Sequence, residues 1–86
     1  MKLLKGSVVK AEAGRDGGRY FAVVDSDEKY CLIADGKSRK LAHPKRKNIK
    51  HIRVTNSMIE LNDITDKKLR RLLSTFGSET EQEEVI

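Results

Sequence analysis

Eighty-six residues make one small domain and not two, and the core that such a chain buries is too small to wall off the deep pocket of most enzymes. Hydrophobic residues are 37% and charged residues 36%, a wet surface around a folded core and not the composition of a wholly disordered chain. The net charge of +5 favours a polyanionic partner, and the lone Cys31, far in sequence from His43 and His51, excludes an internal disulfide and a structural zinc site.

The opening MKLLKGSVV holds too short an apolar run for a signal peptide, and no stretch approaches the length of a membrane span, so a cytoplasmic location and no membrane partner are expected. Leu3 to Glu12, with Val8 and Val9 beside Gly6, reads as a first strand. Gly14 to Gly18 is a turn, and Tyr20 to Asp25 a second strand whose alternation sends Tyr20 and Phe21 to opposite faces. Lys29 to Ala34 makes a third, with Cys31 as a small buried hydrophobe. Asp35-Gly36 signals a type I′ hairpin turn into a short fourth strand, Ser38 to Ala42.

Pro44 cannot donate to a ladder and marks an edge or a loop, with Lys45-Arg46-Lys47 just behind it. Asn48 to Thr55 alternates, Ile49, His51 and Arg53 against Lys50, Ile52 and Val54, which predicts a last strand between the core and a covering segment. Residues 56–62 have no clear assignment. Thr65 or Asp63 caps a helix whose Leu69, Leu72, Leu73 and Phe76 form one apolar stripe that docks on the strands, and Gly77 stops it. The acidic stretch beyond reads as disordered. The expected division is a barrel over 1–55, a helical extension over 56–77 and a tail over 78–86.

Charge is unevenly spread. Residues 1–53 hold fourteen Lys/Arg against six Asp/Glu, whereas residues 54–86 hold four against seven. Gly36 to Arg53 carries eight cations, Lys37, Arg39, Lys40, Lys45, Arg46, Lys47, Lys50 and Arg53, and no acid. A one-signed block of this kind suits phosphates, because each neutralised phosphate releases a condensed counterion.

The glycine-rich AGRDGGR offers no catalysis. Counted as a P-loop from Gly14 it puts Arg19 where glycine is required, no Lys-Ser/Thr follows, and the next element is a strand and not a helix N-terminus. Asp25-Ser26-Asp27-Glu28 fails as a calcium loop, with Tyr30 at the glycine position and Gly36 at the bidentate glutamate. His43 and His51 stand among lysines and at no spacing that suggests a triad. The chain is expected to be non-enzymatic, without cofactor or metal.

GSVV, then AGRDGGR, then the apolar YFAVVD resembles the KOW motif. CLIADG followed by PKRKNIKHIRVT is similar to the large-subunit ribosomal protein fourteen family of archaea and eukaryotes, and more closely to short bacterial KOW-domain RNA-binding proteins. The resemblance covers residues 5–55. It implies a mainly β, SH3-like five-stranded barrel, here with a C-terminal amphipathic helix, that binds structured RNA, ribosomal RNA above all. Carried over by position, the loop glycine is Gly17 or Gly18 and the cationic contacts are Arg15 and Arg19, while Asp16 departs from the lysine or small residue common in such loops. The expected RNA-binding set is therefore one grip of Arg15, Gly17, Gly18 and Arg19 and a second of the eight cations from Lys37 to Arg53. In the loop the glycines would also let backbone N–H groups approach phosphate. One of Tyr20 and Phe21 is expected to be exposed to an unpaired base. The expected partners are RNA and ribosomal proteins, with the chain itself a monomer. The rival reading is an SH3-like protein-interaction module, and its mark would be an open leucine stripe on the helix.

Overall fold

The computed structural model describes residues 2–12, 14 and 17–85, with the side chains of the C-terminal helix as far as Phe76. The elements are β1 (Ser7–Ala11), β2 (Tyr20–Ser26), β3 (Tyr30–Ala34), β4 (Lys45–Asn48), a 3-10 turn (Ile49–His51), β5 (Ile52–Met58) and α1 (Asp66–Val85). All five strands join one antiparallel sheet in the order β4-β3-β2-β1-β5. Register shifts between Ser7 and Val9 against β5, and between Val23 and Asp25 against β3, add twist and curl the short sheet into a small barrel-like fold. At the first of them Thr55 Oγ1 donates to the Val8 carbonyl at 2.8 Å.

The apolar runs of β1, β2 and β3 are continuous because both faces of the sheet are covered. Val9, Phe21, Val23, Cys31 and Ile33 point inward with Leu3, Ala11 and Ile52. Their neighbours Val8, Ala22 and Ala34 point the other way, against Ile59, Leu69 and Leu73. Tyr20 and Phe21 do part to opposite faces, but neither is free for a base. Phe21 is wholly buried, and Tyr20 packs on Phe76 at 5.6 Å between ring centroids.

Thr65 is the helix cap, its Oγ1 accepting from Lys68 N at 3.1 Å, while Asp63 takes a left-handed φ of 57° in the preceding turn. Burial of Leu69 and Leu73 is worth about 1.5–3 kcal/mol each, which is why the helix lies on the sheet. The leucine stripe is thus covered, and the interaction-module reading loses its mark. Where the sequence predicts a stop at Gly77 and disorder beyond, α1 continues to Val85. A glycine inside a helix costs only about 1 kcal/mol relative to alanine, too little to end it by itself.

Two strands differ from expectation. No strand forms over Ser38 to Ala42, because the Asp35 carboxylate accepts from Lys37 N and Arg39 N at 2.8 Å each and folds the backbone into a loop. Asp35 N and Gly36 N both donate to the Arg39 carbonyl, so Asp35-Gly36 is the start of this loop and not a two-residue hairpin. The fourth strand begins after Pro44, as the edge strand β4, and contains the Lys45-Arg46-Lys47 run itself. The last strand likewise starts late. Asn48 Oδ1 accepts from Lys50 N at 3.0 Å and caps the 3-10 turn, which interrupts the two-residue period. Ile49 and Ile52 both reach the core, and Val54 faces solvent at 42% exposure with no covering segment.

Burial pushes the Cys31 thiol up to about 11. The thiolate is the reactive species, so at pH 8 a disulfide reagent should modify Cys31 only as fast as the barrel opens, with the full rate regained in denaturant. Rapid labelling of the native protein would contradict its place in the core.

Candidate nucleic-acid interface

Of the glycine-rich loop, Arg15 and its neighbour Asp16 lie outside the described residues. Gly17 N donates to the Gly14 carbonyl at 3.1 Å and Gly18 N to the Ala11 carbonyl at 2.7 Å, so both amides are engaged within the hairpin. What the glycines present is a surface without side chains: both are exposed, and a Cβ on Gly18 would meet nothing within 4 Å.

Arg19 anchors one side of this hairpin. One terminal nitrogen reaches Asp35 Oδ2 at 3.0 Å and Ser38 Oγ at 3.0 Å, which ties β2 to the loop carrying Lys37, Arg39 and Lys40. The guanidinium is 41% exposed and its fork has five N–H donors, so donors remain for an outside acceptor. On the other side, Lys47 Nζ lies 3.6 Å from where a Cβ on Gly14 would stand, and Glu12 N donates to the His51 carbonyl at 3.0 Å. The hairpin is therefore flanked by the segment of Lys37, Arg39 and Lys40 on one side and by that of Lys47, Lys50 and His51 on the other.

Strand geometry divides the Lys45-Arg46-Lys47 run. Lys45 and Lys47 pair with Ile33 and Cys31, whereas Arg46 pairs with Leu32 and projects from the opposite face. Its guanidinium lies 3.9 Å from the centroid of the Tyr30 ring, a cation–π contact away from the hairpin. Lys45, Lys47 and Arg39 are half-buried, whereas Lys37, Lys40, Arg46, Lys50 and Arg53 are exposed. Arg53 meets Glu12 at 3.3 Å, a pair 72% and 45% exposed that solvent screens.

Asp35 and the helix were missed as parts of this surface. Asp35 is buried at 6% and organises both grips by receiving Arg19 and two backbone N–H groups; the signal was its acceptor side chain at the head of a Gly-Lys-Ser-Arg turn. On the helix, the backbone nitrogen of Arg70 packs against Gly36, next to Lys37. Asp66 Oδ1 also accepts from Leu41 N at 2.8 Å and fastens the same loop to the helix N-terminus. Away from the hairpin, backbone N–H groups of Tyr30 and Lys29 hold the Asp27 carboxyl below the usual carboxylate range, with smaller help from Arg46 and Lys2. Among the described residues no three His, Cys, Asp or Glu side chains gather as metal ligands, and no helix is long and apolar enough to cross a membrane.

No protein-family model matches the chain. It is 36% identical over 74 residues to the large ribosomal subunit protein eL14 of Pyrobaculum calidifontis, a similarity that covers 84% of this chain and 72% of that protein. That share is more than the strands alone provide and takes in part of the helical extension. With this identity over this coverage, on a small antiparallel barrel of the kind the KOW-like motif implies, the chain belongs to the eL14 family of large-subunit ribosomal proteins.

Proposed function

We propose that this chain binds structured RNA, ribosomal RNA in the first place, as a monomeric ribosomal or ribosome-associated protein of the cytoplasm, and that it catalyses nothing. The observation that carries the reading is the glycine-rich hairpin set between two basic segments, tied to one by the Arg19–Asp35 pair and with Lys47 of the other beside Gly14. Family membership supplies the ribosomal setting. Cations spread over several loops of a rigid barrel suit a folded backbone better than a base sequence, since phosphate contacts set register and orientation. Arg15 completes the hairpin grip in this proposal. Arg70, beside Gly36, extends the surface onto the helix. Exposed Leu4, Val54 and Met58 leave apolar contacts for neighbouring ribosomal proteins.

With about five phosphates neutralised, log affinity for large-subunit ribosomal RNA should fall against log salt with a slope of about −3.5 for single-stranded contacts to about −4.5 for duplex ones. A filter-binding or anisotropy series from low to high salt measures it. A flat response removes the proposal. Competition by duplex DNA at equal strength would leave general polyanion binding in its place.

A further inference from the structure

On the face away from the hairpin, Asp25, Ser26, Asp27, Tyr30, Leu32 and Arg46 line an open cavity of about 230 Å³ together with Cys31. Tyr30, Cys31 and Leu32 give it an apolar part, and the exposed Arg46 lines it with its guanidinium 3.9 Å from the centroid of the Tyr30 ring. The acceptors among the lining side chains are Asp25, Ser26 and Asp27, beside the donors of Arg46. The Ser26 hydroxyl is engaged with the Asp27 and Tyr30 carbonyls and accepts from Leu3 N. Asp27 Oδ1 already takes two backbone N–H groups, whereas Asp25, exposed, accepts among the described residues from Ser26 N at 2.9 Å, which leaves it the freer carboxylate. Two carboxylates repel a phosphate, so this is a different kind of site from the basic hairpin surface. A ligand here must bring a flat face for the guanidinium and paired donors for a carboxylate.

We propose that this cavity receives one unpaired guanine of the bound RNA, stacked on the Arg46 guanidinium, with its Watson–Crick edge donating to Asp25. The inference rests on the RNA-binding reading and adds a base to it. Guanine alone among the four bases presents two adjacent donors, N1–H and N2–H, on that edge, which matches a carboxylate bidentately. Adenine and cytosine set one amino group beside an acceptor nitrogen, and uracil sets one N–H between two carbonyls. Unpaired bases are commonly held in this way, stacked on an arginine plane and read on one edge.

The test uses the full chain and two measurements. NMR titration with GMP, AMP, CMP, UMP and inorganic phosphate follows the signals of Tyr30, Cys31 and Leu32, while binding of large-subunit ribosomal RNA is measured in parallel over a salt series. GMP should shift those signals and the other four probes should not. Arg46→Lys keeps the charge and loses the plane; Asp25→Asn keeps the acceptor for Ser26 N but turns a donor toward guanine. Each should weaken GMP about 5- to 100-fold, the range that loss of a stacked base spans, and leave the thermal transition in place. Equal shifts with phosphate or with all four nucleotides, no effect of either variant, or preferential occupation by an arginine-rich peptide would overturn the guanine site. Ribosomal RNA that binds with a steep salt slope while GMP leaves the cavity silent removes this inference alone; ribosomal RNA that fails to bind removes the wider reading.

Discussion

Gly36→Ala should lower the melting temperature by about 10–20 °C. Gly36 has a φ of +77°, where an L-residue costs about 1–2 kcal/mol. Its Cβ would also fall on the Asp66 carbonyl oxygen and lie 3.0 Å from the Asp66 carbonyl carbon and 3.1 Å from Arg70 N. These are backbone atoms of the first turns of α1, which cannot rotate away, and overpacking of this kind costs about 1–3 kcal/mol more. A small domain is stable by only about 5–15 kcal/mol, so the sum is a large part of the whole. Gly18→Ala is the control. Its φ is +84° but the space around it is open, so only the backbone cost of about 1–2 kcal/mol applies. Thermal unfolding of the two variants by circular dichroism decides the matter; equal losses would mean that the helix does not seat on the 35–39 loop.

Joint reversal of Lys37, Lys40 and Lys50 to glutamate should weaken ribosomal RNA binding on the order of a hundredfold at low salt, and flatten the salt dependence by about 2–3 units of slope. These three are exposed and form no ion pair among the described residues, so stability should change little. The contiguous Lys45-Arg46-Lys47 run is the poorer choice despite its density. Lys45 and Lys47 are half-buried on the face of Ile33 and Cys31, and Arg46 lies on Tyr30, so reversing them would damage the edge strand along with any RNA contact. Unchanged affinity for the Lys37, Lys40 and Lys50 variant, with an unchanged melting temperature, would place the RNA elsewhere on the molecule.

Some of this architecture was legible in the chain. The strands over Val8, Phe21 and Ile33 and the stripe of Leu69, Leu72, Leu73 and Phe76 depend on periodicity and burial, which act over a few residues and survive without knowledge of the fold. The charge block from Lys37 to Arg53 was equally plain, because composition needs no coordinates. The fourth strand was misplaced for a local reason that competes with propensity: the Asp35 side chain captured the N–H groups that a strand would have offered to a ladder.

What the chain alone determined is therefore a small, basic, mainly β domain with a helix laid on it and a glycine-opened loop. Only the tertiary structure decided which cations share a face. Alternation along β4 separates Arg46 from Lys45 and Lys47, and antiparallel pairing brings Asp35 to Arg19 and Lys47 to the hairpin from far away in sequence. The physical reason is that a side chain's direction follows from the strand it sits in and the register of its partner, and both are set by burial of the two apolar faces and not by the cations themselves.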